Sequence, residues 1–136
     1  MNGTVLAFDF GEQRIGVAVG ESLLKQAHPL TTIRSPKNDE RFAAISKLLA
    51  EWQPGELVVG RPLDREGEEH EMTRRCHRFA NQLRGRFNLP VAEVDERYSS
   101  TDATSRLFAS GLTGRQAKQH IDSVAAQLIL QGYFDA

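Results

Sequence analysis

The chain has too little of several things for several functions to be open to it. One cysteine among 136 residues allows no internal disulfide and fits a reducing cytosol. No His-rich or Cys-rich ligand set is present either. Apolar runs such as Val5, Leu6, Ala7 and Phe8 stop at strand length, so no membrane span is expected. The start of the chain lacks the basic stretch and long apolar run of a secretory signal. A cytoplasmic location is expected, and the sequon Asn2-Gly3-Thr4 has no secretory context in which to act. Neither sign of charge dominates: 17 Lys+Arg face 18 Asp+Glu, so no whole-molecule field draws in nucleic acid. Walker A and GxGxxG sequences are absent. His70-Glu71 begins like a zinc-protease helix, but Arg74 stands where the second histidine is needed.

What is present is an ordinary globular composition, 40% hydrophobic and 26% charged. The length suits one domain over residues 1–136, and no repeat or linker divides it. Thr4 to Phe10 and Ile15 to Gly20 read as β-strands joined by a hairpin-sized polar turn. A third strand is expected around Leu30 to Ile33. Phe42, Ile45, Leu48, Leu49 and Trp52 then fall at helical spacing, after a cap at Asn38 or Asp39 and before Pro54. Leu57 to Val59 reads as a buried strand ending at Gly60. Met72, Cys76, Phe79, Leu83 and Phe87 stripe a second helix, in which Cys76 is a core thiol. Val91 to Val94 is a fifth strand. A helix capped near Ser99, with Asp102 as its box partner, stops at Gly111. A last helix carries Ile121, Val124, Ala125, Leu128 and Ile129. The order βββαβαβαα implies an α/β fold with a five-stranded mixed sheet flanked by helices.

Three acidic positions are candidates for chemistry. Asp9 shares a strand face with Val5 and Ala7, where a carboxylate is costly unless paired or coordinated; turn amides after the strand could also satisfy it. Asp95-Glu96 closes the fifth strand at its carboxyl end, where open α/β sheets bind ligands, although Arg97 could simply neutralise the pair. Asp122 lies in the first turn of the last helix, where the dipole alone accounts for a negative charge. Together the three segments suggest an oxygen-only site for Mg²⁺ or Mn²⁺, ions that prefer such ligands. Two such ions about 4 Å apart suit phosphodiester hydrolysis.

The distribution of charge says more than its sum. Asp64, Glu66, Glu68, Glu69 and Glu71 precede Arg74, Arg75, Arg78, Arg84 and Arg86. That polarity matches a helix dipole and equally a phosphate track. Arg97, Arg106, Arg115 and Lys118 then surround the later acidic positions, with only Asp102 against them.

Five segments occur in a recognisable order: Phe8-Asp9-Phe10-Gly11, Arg14 to Ala18, Val59-Gly60-Arg61-Pro62-Leu63, Asp95 to Ser100, and Ile121 to Ala126. Over essentially the whole chain this resembles the YqgF (RuvX) family of bacterial nucleases, described as Holliday junction resolvases and as pre-16S rRNA nucleases. The resemblance implies an RNase H-like fold and divalent-metal hydrolysis of phosphodiesters, leaving a 3′-hydroxyl and a 5′-phosphate. It places the acidic catalytic and metal-binding residues on Asp9, Glu96 and Asp122, and it alone selects Glu96 over Asp95. Arg14, Arg97 and Lys118 become the candidates for phosphate contact. The implied partner is nucleic acid, RNA favoured over branched DNA, with pre-ribosomal particles as the setting and no membrane. Either a monomer or a homodimer is compatible, the junction reading calling for paired sites. A non-catalytic RNA-binding assembly factor is the rival reading. Arg61 stands where an aliphatic residue is usual, and His120 where lysine is common.

Overall fold

Alternation along the first strand sets the whole architecture. The computed structural model describes residues 3–62, 70–95 and 114–135, with side chains of the last stretch from residue 121. Strand β1 (Thr4–Phe10) pairs antiparallel with β2 (Ile15–Glu21), which pairs antiparallel with β3 (Gln26–Ile33). On its other side β1 runs parallel to β4 (Glu56–Arg61), and β4 runs parallel to β5 (Val91–Asp95). The order across the mixed sheet is β3-β2-β1-β4-β5, so β1 lies at its centre.

Leu6 and Phe8 point to one face, where they meet Phe42 and Ile45 of α1 (Asn38–Trp52). Cys76, Phe79 and Leu83 of α2 (Glu71–Phe87) complete that core, and Cys76 is fully buried as expected. Val5 and Ala7 point to the other face, against Ala126, Ile129, Leu130 and Phe134 of α3 (Gly114–Asp135). Small residues on this face let α3 lie close to the sheet. Among the described residues no helix is long and apolar enough to cross a membrane.

Three expectations need correction. Asp122 lies well inside α3, which begins at Gly114 and has no acid in its first turn, so the helix dipole does not account for its charge. The third strand starts at Gln26, well before Leu30. It is an edge strand in which His28 and Pro29 are exposed, and a bulge interrupts its register with β2, so no regular alternation marks its first half. The α1 cap is also earlier than Asn38 or Asp39. Lys37 holds the N-cap position without a side-chain cap, and the buried Ser35 Oγ accepts the Lys37 N–H at 3.1 Å. Asp39 and Glu40 then lie in the first turn, where the dipole favours them. The expected helix from Ser99 to Gly111 and the acidic positions 64–69 lie outside the described residues.

Helix α3 is pinned near its end by Tyr133, whose hydroxyl donates to Glu56 Oε2 at 2.6 Å. That bond, burial and the nearby negative charge push the phenol up to about 12. A phenol pKa raised on folding contributes stability below the unfolded value near 10 and loses it as pH rises toward 12. Tyr133→Phe is therefore expected to cost about 1 kcal/mol at neutral pH. The variant should also lose less stability than the parent between pH 10 and 12, measured by urea melts across that range.

Candidate nucleic-acid cleavage site

The site is built where α3 touches β2. Asp9 sits opposite Gly16 in the β1–β2 register, so both face α3. A β-carbon on Gly16 would lie 1.9 Å from the Asp122 carbonyl oxygen and 3.0 Å from the Asp122 β-carbon. Only glycine allows this approach. Opposite β-carbons on paired strands are about 5 Å apart, so Gly16 seats Asp122 beside Asp9. Two acidic residues more than a hundred positions apart in sequence are thus set on neighbouring backbone.

Asp122 has an unusual environment. Its side chain is 21% exposed, and Oδ2 lies 3.0 Å from Nε of Arg14, whose own side chain is 49% exposed. The contact is an ion pair by distance, yet the N–H does not point along it. Oδ2 is buried and accepts no hydrogen bond among the described residues. Charge is partly balanced while a buried lone pair stays unused, which is costly in a site that binds nothing. A buried carboxylate oxygen with an unused lone pair, beside a second acidic residue, fits a hard divalent cation.

The loop that delivers Arg14 is held from below by Arg41, a residue the sequence reading passed over. Arg41 is 3% exposed. Its guanidinium donates to the Ser35 and Gly11 carbonyls and lies over the Phe10 ring, 5.2 Å from the centroid. Burial pulls its pKa below the ordinary value. The signal was available: Arg41, Ile45, Leu48 and Trp52 share a helical stripe, which places an arginine on the core side.

Of the other predicted residues, Glu96 and Arg97 lie outside the described residues, as does the Lys118 side chain. Asp95, last in β5, lies two positions after Glu93, which faces α2 and bonds His77 and Arg84. Alternation therefore puts Asp95 on the face away from Asp9. Among the described residues no group of three His, Cys, Asp or Glu side chains is placed to hold a metal. Of the three predicted acids, Asp9 and Asp122 sit on backbone that meets at Gly16. Part of the expected phosphate track is spent internally: Arg75 pairs with Glu12 at 2.7 Å and Glu71 at 3.2 Å, and Arg84 with Glu93 at 3.2 Å.

Residues 3–136 match the family described as "RuvX: Holliday junction resolvase". The chain belongs to the RuvX family. A Dechloromonas aromatica protein named "Putative pre-16S rRNA nuclease" is 58% identical over 134 residues, covering 98% of this chain and 92% of that protein. Among solved structures, the fowlpox virus resolvase in complex with Holliday junction DNA aligns with a TM-score of 0.59 at 12% identity, covering 97% of each chain. The Thermus thermophilus RuvC–Holliday junction complex aligns with a TM-score of 0.57 at 15% identity, covering 96% of this chain and 92% of that one. At such identities the structures establish the fold, which is RNase H-like as the resemblance implied. The family makes this RuvX chain a nuclease, a phosphodiester hydrolase with a nucleic-acid substrate.

Proposed function

We propose that this chain, one nuclease domain over residues 1–136, is a divalent-metal-dependent endonuclease of the cytoplasm. Its substrate on this reading is RNA, in the maturation of the small-subunit ribosomal RNA precursor and in the setting of pre-ribosomal particles. The observation that carries the reading is the buried Asp122 Oδ2, without a hydrogen bond among the described residues, seated by Gly16 beside Asp9. The names of relatives above 50% identity support the choice of RNA.

Asp9 on the central strand and Asp122 on α3 hold the metal, and Glu96 completes the protein ligands. Mg²⁺ or Mn²⁺ bound there would supply Lewis acidity for water attack and for the leaving oxygen. Arg14 stands at the rim, half-exposed and paired with Asp122. Its guanidinium can turn from that carboxylate to a substrate phosphate, whose charge it matches bidentately. Arg97 and Lys118 are the further phosphate contacts of this reading.

A monomer suffices for RNA. The family description favours a second reading, junction cleavage by paired sites in a homodimer. Single-stranded RNA, duplex RNA and a four-way DNA junction, each incubated with the pure protein and Mg²⁺, decide between the two. RNA cleavage is expected from wild type and none measurable from Asp9→Asn. Preference for the junction by a dimeric protein would overturn the RNA assignment. Equal cleavage by both proteins would mean a contaminating nuclease and favour a non-catalytic binding role.

A further inference from the structure

A second feature at the same edge of the sheet is a pocket of about 430 Å³ lined by Arg61, Thr73, Arg74 and His77. Arg61 ends β4, and the β1–β4 register, carried two residues past Phe8–Val59, sets it level with Phe10. It is therefore one strand over and one residue beyond Asp9, on the α2 side, with parallel strands about 4.8 Å apart. A nucleic-acid strand leaving Asp9 across the carboxyl edge of the sheet would run toward the α2 face, where this pocket lies.

The pocket is firmly built. The Thr73 hydroxyl donates to the Pro62 carbonyl and accepts the His70 N–H at 3.1 Å, while His70 Nδ1 accepts the Met72 N–H at 3.2 Å. These bonds clamp the end of β4 to the first turn of α2. Two of the pocket's lining residues are arginines. Among the described residues the Arg61 and Arg74 guanidiniums have no ion pair or hydrogen bond, whereas Arg75 and Arg84 are committed to carboxylates.

Two acids of β5 share this face: Asp95, opposite Arg61 in the register, and Glu93, which is already paired. Arg84 donates to Asn81 Oδ1 at 2.6 Å, which turns the Asn81 amide nitrogen toward His77 Nε2 at 3.2 Å. His77 Nε2 must then accept, so the proton is on Nδ1, facing both Glu93 oxygens at 3.0 Å. Glu93 is thus satisfied by His77 and Arg84 and does not oppose an anion in the pocket. Two guanidiniums around one recess, neither paired among the described residues, suit one phosphodiester group.

We propose that Arg61 and Arg74 form a non-catalytic subsite for a substrate backbone phosphate adjacent to the scissile one. This rests on the nuclease reading and locates where the strand leaves the metal site. The test measures anisotropy of a fluorescein-labelled single-stranded RNA across a salt series, in the Asp9→Asn background. Arg61→Gln/Arg74→Gln is expected to raise Kd about tenfold and to reduce the salt slope by about 0.7, the loss of one single-strand phosphate contact. Lys37→Gln/Lys47→Gln, the same charge change on exposed positions of the α1 region, should leave both within twofold. In the cleavage-competent protein the arginine pair should raise KM and spare kcat. Unchanged affinity and slope in a variant that melts like its parent would overturn the subsite while leaving the nuclease reading intact. Failure of the parent to bind any nucleic acid would overturn both.

Discussion

Gly16→Ala is expected to cost about 3 kcal/mol or more of folding stability and to pull the candidate site apart. The added methyl would lie 1.9 Å from the Asp122 carbonyl oxygen and 2.4 Å from its carbon. Both are backbone atoms of α3, so no side-chain rotation relieves the clash. The helix must lift, and Ala126, Ile129, Leu130 and Phe134 lose contact with Val5, Ala7 and Val58 as it does. Overpacking typically costs about 1–3 kcal/mol, and contact with rigid backbone belongs at or above the top of that range. Gly132→Ala on the same helix is the internal control. A methyl there meets nothing within 4 Å, and its higher helix propensity should stabilise by about 0.5–1 kcal/mol. Urea melts of both variants check the pair. A Gly16→Ala midpoint equal to wild type would mean that α3 does not rest on β2 as described.

That dependence on one glycine shows which parts of the molecule the sequence makes legible. Strand β1 could be read because its two faces carry different residues: Leu6 and Phe8 for the large core, Val5 and Ala7 for the tight one. Asp9 inherits its direction from the same alternation, so its side of the sheet was legible as well. That Asp122 lies beside it was not, because the approach is set by the missing side chain of Gly16, where turn duty is an equally good sequence reading. The first half of β3 was hidden for a different reason: a solvated edge strand with a bulge buries only Ala27 and Ile33. Arg41 was legible but overlooked, since a charged residue on an apolar stripe invites an exposed assignment until the carbonyls that it serves are known. The choice between Asp95 and Glu96 came from resemblance alone. The register supplies a physical ground for part of it, because Glu93 turned toward α2 assigns Asp95 to the face away from Asp9.

Asp122→Asn should separate metal binding from folding. Without a divalent cation the substitution removes a half-exposed ion pair with Arg14, of a kind worth about 0–1 kcal/mol. It also replaces a buried oxygen that accepts no hydrogen bond among the described residues, so little native bonding is lost. Stability of the metal-free variant is therefore expected within about 1 kcal/mol of wild type. With Mg²⁺ the two should diverge. A ligand at one hundred times its Kd stabilises the state that binds it by about 2.7 kcal/mol. Wild type should show that gain as a rise in Tm, and the variant should show little of it. Cleavage should fall about a thousandfold, the equivalent of about 4 kcal/mol of lost charge stabilisation at the reacting phosphate. Melting with and without Mg²⁺, with Ca²⁺ as a second probe, provides a readout independent of turnover. An equal Mg²⁺ shift in both proteins would remove Asp122 from the ligand set. Its buried oxygen would then have to be explained by Arg14 alone, whose N–H does not point at it.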